Sequence, residues 1–333
     1  MTAAPATHSY RQLGHVGPAV FPIALGAMGM SAMYGASDDH ESVATVHEAI
    51  EKGVNLIDTG DFYGIGHNEM LIGRAIKDRR DKVLLSVKFG AQRAPDHSWT
   101  GFDARPVAVK NALAHTLTRL GVDHIDLYRP ARLDPSVPIE DTIGAIAEMV
   151  AAGYVRAIGL SEVGPETIRR AHAVHPIADL QIEYSLISRS PENEIFPVLS
   201  ELGIGVTAYG VLSRGLLSGS LPSGATDYRT YLPRFSGNNL EQNKHLVSEL
   251  KAFAAARGLT ASQLAIAWVL AKGPSIVAVV GARKRPQLRE SLGALAVQLS
   301  PADLADLEAL VAASPIAGTR YDARGMQTLD SER

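Results

Sequence analysis

The stretch Pro22-Ile23-Ala24-Leu25-Gly26-Ala27-Met28-Gly29-Met30 decides the fold. Residues 22–26 form a short apolar run ending at glycine, as a buried strand does. A helical pattern follows over 41–52, with Val43, Val46, Ala49 and Ile50 at three- and four-residue spacing. The junction Gly26-Ala27-Met28-Gly29-Met30 lacks the G-x-G-x-x-G spacing that seats a dinucleotide pyrophosphate on the first helix of an open, doubly wound sheet. Onward from it, strand-type runs at 55–58, 82–89, 125–129, 155–160, 180–184, 205–209 and 275–280 alternate with helical patterns at 69–77, 105–120, 139–151, 165–174, 194–202, 240–257, 261–272, 286–295 and 301–312. That makes about eight strand-then-helix units, and most of the strand runs are continuously apolar, the pattern of parallel strands covered on both faces. No linker or shift in composition divides the chain. The reading is therefore class α/β, a single (β/α)8 TIM barrel over 1–333 with its core at about 8–312. It adds an N-terminal β-hairpin over 10–21 that turns at His15-Val16-Gly17-Pro18, extra C-terminal helices, and a tail over 313–333.

Composition narrows the function classes. The chain has 333 residues, 32 Lys+Arg against 35 Asp+Glu, a net charge of −3 and 46% hydrophobic residues. That apolar share supports a large core. Without a block of clustered Lys/Arg, nucleic acid is not an expected partner. The absence of cysteine removes disulfides, cysteine-zinc sites and thiol catalysis together. Among eleven histidines, His172 and His175 share a helical spacing but have no third ligand near them in sequence, so no metal site is expected. No apolar run approaches the ~20 residues of a bilayer crossing. Residues 1–14 show neither the charged start, the apolar stretch nor the cleavage site of an export signal. The expected location is cytoplasmic and the expected partner a small molecule; oligomeric state has no signature here.

In a barrel, chemistry sits at the C-terminal ends of the strands. The second strand runs out as Asn55-Leu56-Ile57-Asp58-Thr59-Gly60-Asp61-Phe62-Tyr63-Gly64, and the third reads Val83-Leu84-Leu85-Ser86-Val87-Lys88-Phe89-Gly90. Lys88 is the odd residue, because an ammonium inside an apolar strand is costly unless a carboxylate neutralises it. Asp58 on the neighbouring strand is the expected partner. Tyr63, five residues further on, is expected to stand over the pair, with its phenol made more acidic by the ammonium and able to donate a proton near neutral pH. On spacing alone the plainer reading stays open: a structural ion pair beneath a rim tyrosine.

The string from Asn55 to Gly64, with Gly66-His67-Asn68-Glu69 behind it, resembles the signature of the aldo-keto reductase family. So do Leu25-Gly26-Ala27-Met28-Gly29-Met30-Ser31, Gly159-Leu160-Ser161, Gln181-Ile182-Glu183-Tyr184-Ser185, Ala208-Tyr209-Gly210-Val211-Leu212-Ser213-Arg214-Gly215 and the stretch 281–291. The resemblance spans roughly 8–312 and implies a (β/α)8 barrel and an NADPH-dependent carbonyl reductase, with NADPH/NADP rather than NADH as cofactor and no metal. It implies Tyr63 as proton donor, Lys88 as the group that tunes it and Asp58 as the group that holds Lys88 charged. For the cofactor it implies Gly26, Met28 and Asp58, Ser161 and Gln181 at the nicotinamide carboxamide, and Tyr209 stacked on the ring. It also implies Gly210, Leu212, Arg214 and Gly215 as cofactor residues, and the loop 212–239 resembles the family segment that folds over the pyrophosphate. Gly281, Arg283, Gln287 and Ser291 hold the adenosine end, where Arg283, Lys284 and Arg285 favour a 2′-phosphate. Glu162 stands where the family often has asparagine.

One position departs from the family pattern. After Asp126-Leu127-Tyr128-Arg129-Pro130, the place of the family's catalytic histidine is taken by Ala131, whose methyl group cannot donate to a substrate oxygen. Losing such a donor typically costs ~10²–10³ in turnover. The expectation is that the substrate fills the space with its own polar group or a water, which favours a bulky or cyclic carbonyl compound in a pocket lined by Phe62, Trp99, Ala131 and Tyr231. Arg129 is expected in an ion pair with Asp58 or Glu183. The alternative is an NADP(H)-binding regulatory or interaction protein with weak turnover.

Overall fold

The computed structural model describes residues 9–222 and 227–333. The first eight residues of the expected domain, which include most of the stretch read for an export signal, and 223–226 of the long loop lie outside the described residues.

A hairpin opens the chain, β1 (Arg11–Gln12) against β2 (Ala19–Val20), with Arg11 opposite Val20. It floors the barrel: Leu13 and Val20 are fully buried in a cluster with Leu56, Leu127, Ala178 and Val277. Its turn needs glycine at Gly14, where φ is +64° and a Cβ would stand 2.4 Å from the carbonyl oxygen of Ala178.

The barrel strands are β3 (Ile23–Gly26), β4 (Leu56–Gly60), β5 (Leu84–Phe89), β8 (Ile125–Pro130), β9 (Val155–Ser161), β10 (Ile177–Glu183), β11 (Gly205–Tyr209) and β12 (Ile276–Gly281). Each pairs in parallel with the next, and β12 closes on β3 with Gly281 opposite Gly26. The surrounding helices are α1 (Asp39–Glu51), α2 (His67–Ile76), α3 (Pro106–Leu120), α4 (Ile139–Ala151), α5 (Pro165–Val174), α6 (Ile195–Leu202), α8 (Ala261–Ala271) and α9 (Arg285–Leu292), with α7 (Gly237–Ala255) inserted before α8. Their apolar stripes, carried by residues such as Val46, Leu71, Val109, Ile143, Ile168 and Leu264, bury against the outward side chains of the strands. The single closed barrel and its hairpin match the sequence reading.

Two features were not legible. A second hairpin, β6 (Ala91–Arg93) with β7 (Trp99–Phe102), follows β5. Its strands are too short and polar to show a period, and it is held partly by the Arg93 guanidinium lying 3.6 Å from the Trp99 ring centroid. The tail after α10 (Pro301–Ala313) is built structure. It carries α11 (Ala323–Gln327), buries Leu329 completely, and uses the Asp330 carboxylate to accept from Gly164 N at 2.8 Å and Thr167 Oγ1 at 2.7 Å. Those two residues start α5 just past the end of β9, so the tail crosses the C-terminal face of the barrel.

Inside the barrel Arg129 is fully buried; the expected Asp58 is its longer-range partner, while its nearer partner, Asp179, is one the sequence reading did not name. Its Nη2 lies 2.9 Å from both oxygens of Asp179, which also accepts from Thr207 Oγ1; Asp58 is 3.9 Å away, and Glu183 is engaged elsewhere. The pair reaches across β9 because Gly159 leaves the room: a Cβ there would stand 2.4 Å from Asp179 Oδ1 and 2.7 Å from Arg129 Nε. Removing one partner strands a buried charge. Asp179→Ala should therefore lower unfolding free energy by about 3–5 kcal/mol in urea titration, and Arg129→Met combined with Asp179→Leu should recover most of it. A loss below about 1 kcal/mol in the single variant would contradict this assignment.

Candidate active site

Strands β4 and β5 pair with Asp58 opposite Ser86 and Gly60 opposite Lys88, so the Lys88 side chain stands one row above Asp58 on the same inner face. Lys88 Nζ lies 2.5 Å from Asp58 Oδ1, while Asp58 Oδ2 accepts from Ser86 Oγ at 2.8 Å and from Gln181 Nε2 at 2.7 Å. Both charged groups are about 95% buried. Burial pushes the Asp58 carboxyl up, but the Lys88 ammonium, Arg129 and the hydrogen bonds from Lys88 and Gln181 outweigh it and hold it below its ordinary value. The carboxylate is ionised.

Tyr63 closes the site. It is 6% exposed, and Lys88 Nζ lies 5.2 Å from its ring centroid. The expectation of an acidified phenol is overturned: burial first, and then the Asp58 charge, push the Tyr63 phenol well above its ordinary value. The Lys88 ammonium does not offset this. The phenol therefore stays protonated across the physiological range.

The loop that carries Tyr63 is tied down by Asn68, fully buried in the first turn of α2. Asn68 accepts from Thr59 Oγ1 at 2.6 Å and donates to the Ala27 carbonyl at 2.9 Å and Ser31 Oγ at 2.8 Å. Ser31 in turn meets His67 Nδ1, whose other ring nitrogen faces Asp39. This network fastens the Tyr63 loop to residues 27–31, the first strand–helix junction.

Of the remaining expected cofactor residues, Gly26 ends β3 beside Gly281 of β12, and Met28 begins the single turn Met28–Ser31. Ser161 ends β9 with its buried hydroxyl unpartnered among the described residues. Gln181 spends its amide N–H on Asp58 and leaves its carbonyl oxygen without a partner among the described residues. Gly210 has φ +66°, and Arg214 within the turn Ser213–Gly215 pairs with Glu183 at 2.9 Å. Arg214 also donates to Tyr228 Oη at 2.8 Å, and the Tyr228 ring lies 5.5 Å from that of Tyr34, tilted by 47°, so the loop beginning at Leu212 bridges to the first strand–helix junction.

At the other end Arg283 donates to the carbonyls of Tyr34, Gly35 and Ala36 and has no carboxylate partner among the described residues. Arg285 is held by Glu41, at 3.0 Å. Gln287 accepts from Arg283 N, and the Ser291 hydroxyl is spent on the Gln287 carbonyl.

Around Tyr63 the rings of Phe62 (4.7 Å) and then Trp99 (5.7 Å from Phe62) form a continuous aromatic edge. Tyr231 stands 74% exposed and makes no ring contact with them. Ala131 is buried at the end of β8, where its N–H donates to the Phe89 carbonyl.

Glu162 is explained by contacts the sequence did not reveal. It sits in the left-handed region at φ +53°, held there by five donors: Glu183 N, Tyr209 Oη at 2.7 Å, both terminal nitrogens of Arg320, and Ser331 Oγ. Burial would raise its carboxyl, but Arg320 outweighs it and takes the value down to about 2. Where the family often has asparagine, this chain anchors its own tail. The tail in turn brings Tyr321 to the mouth, with its hydroxyl 3.2 Å from Tyr209 Oη and 3.3 Å from Arg132 Nη2 and its ring 4.5 Å from the Arg214 guanidinium. Tyr321 and Arg132 went unread because a C-terminal tail and a loop residue carry no periodicity.

Among the described residues no group of three or more His, Cys, Asp or Glu side chains could hold a metal ion, and no helix is long and apolar enough to cross a membrane. A sequence model described as "Aldo/keto reductase family" matches residues 22–312. A soybean (Glycine max) protein called "Probable aldo-keto reductase 1" is 40% identical over 93% of this chain and 91% of its own length. The glycerol dehydrogenase AKR11B4 from Gluconobacter oxydans superposes with a TM-score of 0.84 at 28% identity, covering 92% of this chain and 96% of that one. The aldo-keto reductase AKR11C1 from Bacillus halodurans, in its holo form, superposes with a TM-score of 0.76 at 26% identity, over 94% and 98%.

Two residues before Tyr63, Asp61 offers a pH test of this site. Burial, and then the nearby Glu69 charge, raise its carboxyl to about 7, and one of its oxygens is buried without a partner. A raised carboxyl binds its proton more tightly when folded, so its contribution to stability is whole below about pH 4 and lost as pH rises towards 7. Asp61→Asn should match the wild type in urea unfolding at pH 4 and exceed it at pH 8, by at most about 4 kcal/mol. A variant less stable than wild type at pH 8 would contradict the burial argument.

Proposed function

This chain belongs to the aldo/keto reductase family, and on that premise we propose that it is a cytoplasmic NADPH-dependent oxidoreductase that reduces a bulky or cyclic aldehyde or ketone to the alcohol. The observation that carries this reading is Tyr63 seated over the buried Lys88–Asp58 pair at the C-terminal mouth of the barrel. Reduction needs a group that is still protonated when a carbonyl oxygen becomes an alkoxide. A phenol whose ionisation is suppressed by burial and by Asp58 is loaded for that step at any physiological pH. The Lys88 ammonium adds a fixed positive charge near the oxygen as its charge develops, and Asp58, saturated by four donors or cations, keeps that ammonium in place.

The unused polar atoms fit a nicotinamide dinucleotide. Ser161 has a buried hydroxyl to donate, and Gln181 has a carbonyl oxygen to accept; together they match the two ends of a carboxamide. A reduced nicotinamide, when bound, supplies the hydride. At the adenosine end Arg283 and Lys284 have no carboxylate partner among the described residues, whereas Arg285 is already paired with Glu41. Two cations rather than three therefore support the preference for a 2′-phosphate. The small Ala131 side chain and the Phe62–Trp99 edge support a bulky or cyclic carbonyl compound.

Purified protein with NADPH and a panel of aldehydes, cyclic ketones and quinones should show turnover by loss of nicotinamide absorbance. Tyr63→Phe should cut it by about 10²–10⁴ without loss of NADPH binding. Tight NADPH binding with no turnover on any compound would instead favour the cofactor-binding regulatory protein. Separately, Arg283→Ala should weaken NADPH by roughly 10–100-fold in fluorescence titration and NADH by less than about 3-fold. An equal loss for both cofactors would remove the 2′-phosphate assignment.

A further inference from the structure

The barrel mouth carries one guanidinium more than its carboxylates neutralise. Glu183 faces Arg214 at 2.9 Å and Arg234 at 3.3 Å, Glu162 grips Arg320 at 2.9 Å, and Glu332 adds a contact to Arg320 at 2.7 Å. Three acids meet three arginines. Arg132, the residue immediately after Ala131, is the fourth arginine and has no carboxylate within 4 Å among the described residues. Its terminal nitrogens donate to the Ala131 carbonyl at 2.6 Å and to Tyr321 Oη at 3.3 Å, and its Nε has no partner. Glu162, the acid whose charge acts on it, cannot turn to it, because both Glu162 oxygens are already occupied by five donors. The Arg132 charge also reaches the reacting groups, since it acts on both Tyr63 and Lys88.

An arginine that is half buried and left without an anion is one side of an ion pair, and its planar fork matches a carboxylate in two-point geometry. We propose that Arg132, backed by Tyr321 from the C-terminal tail, is the recognition site for an anionic group of the substrate, so that the carbonyl compound reduced here is an oxo acid whose carboxylate occupies the side of the mouth where the histidine is missing. The proposal rests on the reductase reading above and deepens it. The substrate's carboxylate supplies the polar group that Ala131 lacks, and Arg132 orients the carbonyl towards Tyr63 by holding the other end of the molecule. Tyr321 reports the same surplus of positive charge: burial would raise its phenol, but Arg214 and Arg132 outweigh burial and lower it.

The test pairs each of two oxo acids, 2-oxobutanoate and 4-oxopentanoate, with its methyl ester. Wild-type kcat/KM with NADPH should favour at least one acid over its ester, and Arg132→Met should cut that preference by about 30–100-fold, mostly through KM. Arg132→Lys, which keeps the charge but not the fork, should keep part of the preference, so a general loss of fold is distinguished from loss of recognition. Esters preferred by the wild type, or an acid-to-ester ratio unchanged in Arg132→Met, would overturn the proposal while leaving the reductase standing. Weakening of NADPH as large as that of the acid would assign the guanidinium to the dinucleotide and overturn it too. If neither acids nor esters turn over while the aldehydes, cyclic ketones or quinones do, the oxo-acid proposal is overturned; if none of these compounds turns over, the reductase reading fails. The anion site is then decided by calorimetry of 2-oxobutanoate and 4-oxopentanoate on the NADPH-loaded protein. Binding of at least one that is lost in Arg132→Met supports it; no binding of either, or binding that survives, refutes it.

Discussion

The structure is organised around one electrostatic constraint: a lysine placed inside a barrel must be neutralised where it stands. Asp58 does this for Lys88, and the carboxylate then has to be neutralised and hydrogen-bonded in its turn. Ser86 on the same strand as Lys88, Gln181 from the opposite side of the barrel and, at longer range, Arg129 all converge on Asp58. Arg129 brings its own counter-ion, Asp179, and Gly159 is the cleared space through which the two meet. The upper barrel interior is therefore a polar network in which every strong charge is answered, above an apolar floor sealed by the N-terminal hairpin. A network of this kind fixes side chains more rigidly than it stabilises the fold, which suits the role proposed for Tyr63, a phenol held within reach of a reacting oxygen.

A second network lies above the first and is made largely by the tail. Glu162 accepts a strained backbone conformation to bind Arg320, Ser331 and Tyr209 together, and Asp330 caps the start of α5. These contacts turn the last residues of the chain into one wall of the mouth, opposite the aromatic edge of Phe62 and Trp99 beside Tyr63. Two residues that depart from the family pattern, Glu162 and Ala131, thus both bear on this region: the first anchors the tail, and the second opens the space beside Arg132.

The barrel was legible because its strands are apolar throughout and its helices amphipathic, so periodicity alone set the order of elements. Asp58, Lys88 and Tyr63 were legible because a charge in an apolar strand demands a partner. What sequence missed has a common cause. Asp179 lies just before the apolar run 180–184 whose pattern predicts the strand. Arg132 and Tyr321 sit on non-repeating segments, where nothing in the spacing says which way a side chain faces. The acidity of Tyr63 was not legible for a different reason: the spacing shows an ammonium beside the phenol, but not the burial that, ahead of the Asp58 charge, disfavours the phenolate.

The central claim is that the Lys88–Asp58 pair exists to serve Tyr63 rather than only to hold β4 and β5 together. Single-turnover reduction of an accepted carbonyl compound by NADPH-loaded Lys88→Met reads this most directly, followed beside urea unfolding of the same variant. The account predicts a hydride-transfer rate at least about 100-fold slower, with NADPH affinity within a few-fold of wild type. A variant that turns over at the wild-type rate would show that the pair is structural alone.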